Sequence, residues 1–130
     1  MTRSIARGWA TVDLDRAASE LAGLLRPGAA FEPVARSEVL GASCRRGIAH
    51  DGSHWILLLE PDTEGRLAAF LARHGEGWAA SWLADDAADS PADPASPAPR
   101  PGPLGPESLE PGGAAAGPFR LRVPPATIER

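Results

Sequence analysis

Hydrophobic and polar positions follow two periods along the chain, and the switches between them mark the elements. Residues 5 to 14, "IARGWATVDL", mix β-branched and aromatic residues with small ones and stop at acids, which predicts a strand. Leu14, Ala17, Leu21, Leu24 and Leu25 then recur at helical spacing, with Asp13 or Asp15 as the cap and Pro27-Gly28 as the stop. Three extended pieces follow: Val34 to Leu40, Ser43 to Ala49 and Trp55 to Glu60. Asp51-Gly52 separates the last two and signals a tight turn, so a hairpin is expected there. "WILLLE" is apolar without alternation, the pattern of a central strand covered on both faces.

Pro61 ends that strand, Asp62 or Thr63 can cap the next element, and Leu67, Phe70 and Leu71 form the apolar stripe of a helix of about ten residues. "HGEG" breaks it, and "WAASWLADD" (78 to 86) reads as a further strand. From Ala87 to Gly117 the composition turns to Pro, Ala, Gly, Ser and Asp. Prolines this dense remove amide donors, so an extended linker or loop is expected. "GPFRLRVPP" restores alternation, with Phe119, Leu121 and Val123 against Arg120 and Arg122, and predicts a last half-exposed strand. The organisation read from these patterns is a folded unit over 1–86, a Pro/Ala/Gly-rich linker or loop over 87–117, and a terminal strand and tail over 118–130.

At 130 residues and 43% apolar content the chain can build one modest core, concentrated before residue 84. A net charge of -4 with scattered arginines lacks the basic footprint of a nucleic-acid binder. No signal-peptide core and no run of membrane-spanning length occurs, so a cytoplasmic protein without membrane contact is expected. The Ala, Arg, Gly and Pro excess with no lysine resembles the coding bias of a GC-rich bacterium. The single cysteine, Cys44, has no internal partner, and no Cys/His spacing suggests zinc.

The element order strand, helix, three strands, closed by "LLLEPDTEGRLAAFLARHGEGW" and preceded by "ATVDLDRAASEL", resembles the βαβββ module of the vicinal oxygen chelate superfamily, the glyoxalase and methylmalonyl-CoA epimerase group. The resemblance implies an α+β fold with one full module, a truncated second module and a proline-rich loop. Relatives of this kind curl two modules into a cup that holds a divalent metal among His, Gln and Glu side chains, where it polarises a substrate oxygen.

This sequence departs from that pattern at each ligand position. Ala6 stands where the first His is expected and Leu57 at the Gln or Glu position. Ala79 or Ala80 stands at the second His, and Leu121 or Arg122 at the Glu. No metal site, cofactor or catalytic residue is therefore expected. The resemblance with its ligands missing implies a metal-free member that binds a small organic ligand, as drug-sequestering relatives do, acting as a homodimer. The alternative is an isomerase or lyase whose ligands come from elsewhere or from a partner subunit.

The expected ligand-binding residues are Trp9, Trp55, Leu57, Ala80, Trp82, Arg120 and Arg122: aromatic walls for area and stacking, arginines for a carboxylate or phosphate. Trp78 belongs to the same set of strand tryptophans. His50, His54 and His74 are scattered and read as surface or strand-end residues. Two arginines follow Cys44 and could lower its pKa, although a small half-buried residue is the plainer reading. Glu60 reads as a loop anchor and Glu76 as a group that caps or orients the glycine hinge.

Overall fold

The computed structural model describes residues 2–85, 99–109 and 119–123. The first strand, β1, spans Thr2–Ala10. Helix α1, Leu14–Glu20, starts at Asp13, whose side chain accepts a hydrogen bond from the Arg16 amide at 3.1 Å, and a 3-10 turn at Ala22–Leu24 continues it. Then come β2 (Glu32–Ser37), β3 (Ala42–Ile48), β4 (Trp55–Pro61), α2 (Arg66–His74) and β5 (Gly77–Asp85). Two further strands, β6 (Ser108–Leu109) and β7 (Phe119–Val123), complete the described elements.

The strand expected over 34–40 ends early, at Ser37. The Ser37 carbonyl accepts from the Gly41 amide at 2.9 Å and its hydroxyl from the Leu40 amide at 3.2 Å, closing a turn that sends Leu40 into the core. The β3–β4 connection turns at Asp51-Gly52: the Asp51 carboxylate takes the Ser53 amide at 2.8 Å, and the Gly52 amide reaches the Ala49 carbonyl.

All strands join one seven-stranded sheet in the order β2-β3-β4-β1-β5-β7-β6. β4 lies inside it, and Ile56, Leu57, Leu58 and Leu59 are all fully buried, the burial that an unbroken apolar run calls for. The register has an internal two-fold relation. Parallel β1–β4 pairs Ala6 with Trp55, and parallel β5–β7 pairs Ala80 with Phe119. Between them, antiparallel β1–β5 pairs Ala6 with Trp82 and Gly8 with Ala80. Ala6, Gly8, Trp55 and Leu57 in the first half thus correspond to Ala80, Trp82, Phe119 and Leu121 in the second. This is a curled mixed sheet in an α+β fold, with a second half one strand shorter than the first among the described residues.

The main core lies on the inner face, where Ala6, Ala10, Leu57, Leu59, Ala80, Trp82 and Leu121 meet Leu40 and α2's Leu67, Phe70 and Leu71. A smaller cluster of Leu25, Ala49 and Ile56, with Phe31 against it, packs on the other face of β4. Of the Pro/Ala/Gly-rich stretch over 87–117, residues 87–98 and 110–117 lie outside the described residues, as does the tail from 124. Residues 99–109 run against the inner core: Gly102, Pro103, Leu104 and Glu107 are buried, and the Pro101 carbonyl accepts from the Glu38 amide. β6 joins the sheet edge through antiparallel pairing with β7, a strand that the proline-rich composition concealed.

Candidate functional site

The inner face gathers the positions where the sequence resemblance puts metal ligands. The two-fold relation pairs Ala6 with Ala80 and Leu57 with Leu121, which selects Ala80 over Ala79 and Leu121 over Arg122. Ala6, Leu57 and Leu121 are 0% exposed and Ala80 4%. Hydrocarbon side chains have no lone pair to offer a cation, and no group of three His, Cys, Asp or Glu able to hold a metal occurs among the described residues. These residues do not fit a divalent metal.

The space that a cup would enclose is packed. Trp82 lies fully buried over Gly8, where a Cβ would sit 2.7 Å from the Leu59 Cδ1 and 2.8 Å from the Trp82 ring. Only glycine allows so close an approach. Across the two-fold relation the first half supplies no side chain at all and the second supplies the largest one.

Glu107 descends from the 99–109 segment to close this packing. Its carboxylate accepts from Trp82 Nε1 at 2.8 Å and from the Ser37 hydroxyl at 2.6 Å, with a further backbone bond from Val39. Gly102 lies beside the carboxyl, and any side chain there would overlap it. Burial pushes the Glu107 carboxyl above the usual carboxylate range, with the Ser37 and Trp82 donors opposing the shift. A buried indole N–H and a buried acid satisfy each other here, as low-polarity surroundings require.

The residues expected to bind a ligand divide between the two faces. Trp55, Leu57, Ala80 and Trp82 share the inner face, but only Trp55 is partly exposed. The Arg46 guanidinium stacks over the Trp55 ring at 4.2 Å. Trp9 does not line the inner face: it alternates with Gly8 and Ala10, and makes an edge contact with Trp78 at 5.2 Å on the side where Arg7 covers Trp78. Trp78 is 37% exposed there. Arg120 and Arg122 likewise alternate with buried Phe119, Leu121 and Val123 and point away from the inner core.

The remaining candidates fall to structural roles. His50 is exposed, His54 pairs with Asp51 at 3.3 Å, and His74 lies against Phe70, so the three do not converge. Arginines do not activate Cys44. It is buried, and desolvation pushes its thiol up to about 12. Glu76 orients the hinge, binding the Val12 amide, the Thr11 hydroxyl and the Arg16 guanidinium, which holds its carboxyl below the usual range. Sequence reasoning missed Glu107, Ser37 and Arg46. Arg46 had a signal: a hairpin centred on Asp51-Gly52 places it diagonally opposite Trp55.

No family model matches the chain, and no curated protein does at a significant level. Solved structures do. A variant of the methylmalonyl-CoA epimerase of Streptomyces coelicolor in complex with 2-nitronate-propionyl-CoA aligns over 97% of this chain and 99% of its own, with TM-score 0.71 and 22% identity. The Mycobacterium tuberculosis methylmalonyl-CoA epimerase aligns over 94% and 87%, with TM-score 0.71 and 18% identity. A hypothetical protein of Bacillus halodurans aligns over 95% and 94%, with TM-score 0.68 and 16% identity. The chain has the vicinal oxygen chelate, glyoxalase-like fold. No helix among the described residues is long and apolar enough to cross a membrane.

Proposed function

We propose that the chain is a metal-independent protein that binds a small organic molecule, with the fold retained and the metal chemistry lost. The observation that carries this reading is the identity of Ala6, Leu57, Ala80 and Leu121, four apolar and buried residues gathered where relatives of this fold are expected to hold their ion. Trp82 and Glu107 support it, because they pack the inner face beside these four residues. The neighbours crystallised with CoA esters support a small organic ligand as the partner class. A cytoplasmic homodimer is the assembly that accompanies the proposal.

The epimerase neighbours keep a second reading in view, an isomerase or lyase of glyoxalase or epimerase type whose ligands come from elsewhere or from a partner subunit. Elemental analysis of protein purified without a chelating tag, joined to a divalent-metal titration followed by tryptophan fluorescence, separates the two. The expected result is no stoichiometric metal and no saturable response. Bound metal, or a micromolar response, puts the enzyme reading first.

A further inference from the structure

A groove of about 440 Å3 opens beside Trp55, at the edge of the first half of the sheet. Arg26, Glu32, Val34, Arg46, Ile48 and Trp55 are among the residues that line it. Its volume lies within the range of small-molecule sites. Its two arginines give it positive charge. Arg16, Arg36 and Arg45 each hold a carboxylate, and Arg66 reaches a backbone carbonyl. Arg26 and Arg46 have no side-chain hydrogen bond or ion pair among the described residues.

The Arg46 guanidinium lies over the Trp55 ring with its N–H groups unpaired among the described residues, and a planar guanidinium edge matches a carboxylate through two parallel hydrogen bonds. Glu32, cross-strand from Arg46, is exposed and makes no ion pair among the described residues, so the groove lining carries two cations against one anion. Val34 and Ile48 give a hydrocarbon body a surface on which to lie. Their position beside the unpaired guanidinium favours an anion with an apolar body over a bare inorganic ion.

We propose that this groove binds a compact organic carboxylate, its carboxylate taken by Arg46 with Arg26 as the second cation, and its apolar body laid against Val34, Ile48 and Trp55. The inference rests on the small-molecule-binding reading above and gives it a place and a ligand class. It moves the ligand from the packed interior to the rim.

The test is calorimetric titration of the metal-free full chain with benzoate, benzamide and inorganic phosphate. Benzoate is expected to bind saturably, benzamide about tenfold more weakly, because a charge-assisted pair is lost, and inorganic phosphate not to displace benzoate. Arg46→Met keeps the stem and removes the charge; it is expected to cost about tenfold in benzoate affinity with an unchanged unfolding midpoint. Arg26→Met is expected to cost less. Equal affinity for benzoate and benzamide, displacement by phosphate, undiminished binding by Arg46→Met, or no binding of any probe overturns the groove assignment. Of these, equal binding of both aromatic probes that survives Arg46→Met leaves small-molecule binding standing at another place. Binding of either probe only after a divalent metal is added overturns the metal-independent reading itself.

Discussion

Trp55 and Phe119 occupy equivalent places in the two halves of the sheet, and they live in different chemistry. Trp55 is half-buried, capped by a guanidinium and open to a groove, whereas Phe119 is buried with Phe70 at 5.9 Å. The same inequality recurs one step along each central strand, where Gly8 faces Trp82. Both halves pack at their centres, but the first leaves Trp55 accessible where the second buries Phe119. The contrast teaches that an apolar centre at Ala6, Leu57, Ala80 and Leu121 need not leave a hole: the second half supplies the bulk of Trp82, and what remains open lies outward, at Trp55.

The largest effect expected from breaking this contrast is at Trp82. Trp82→Ala empties the shared interior and leaves Glu107 without its indole donor, so urea unfolding should show a loss of about 3–5 kcal/mol. Gly8→Ala should cost about 1–3 kcal/mol in the same assay, since its Cβ meets Leu59 and Trp82, and Ala80→Gly, at its cross-strand partner, should cost less. A tolerated Gly8→Ala would mean the two halves are not packed as tightly as described.

The smallest effect is a pH dependence. Burial raises the Glu107 carboxyl pKa, so the stability contributed by this group is fully present below the unfolded pKa and is lost as pH rises through the folded one. Glu107→Gln should therefore cost about 1 kcal/mol in acid and progressively less as pH increases, read as the difference in unfolding midpoints between parent and variant. Glu76 is held below its usual value, and its contribution runs the other way: present above the unfolded pKa and lost as pH falls through the folded one. A parent and Glu107→Gln variant that track each other at every pH would show that the carboxyl is not desolvated.

Most of the fold was legible because its elements are patterned. The unbroken "WILLLE" run became the buried β4, Asp13 became the cap of α1, and Asp51-Gly52 became the hairpin turn. The resemblance pointed to Ala6 and Leu57 but left Ala79 or Ala80 and Leu121 or Arg122 open, and the strand register supplies the two-fold relation that matches Ala80 and Leu121 to them. Faces were read less well than elements. A period of two already separates Trp9 from Ala6 and Gly8, and Arg120 from Leu121, yet grouping residues by strand put them in one wall. The 99–109 segment was hidden for a different reason. Proline density argues against regular pairing but says nothing about burial, and a lone acid among prolines reads as solvated until Trp82 and Ser37 appear beside it.

Among the described residues, Pro33 sits within β2, the strand at one end of the sheet, and the two-residue β6 lies at the other. Proline is tolerated at such a margin because it removes an amide no neighbour there requires. A strand from another molecule that tried to extend the sheet along β2 would find a missing donor, and along β6 almost no length to grip. Concentrated protein should accordingly resist the edge-to-edge growth that leads open sheets toward fibrils.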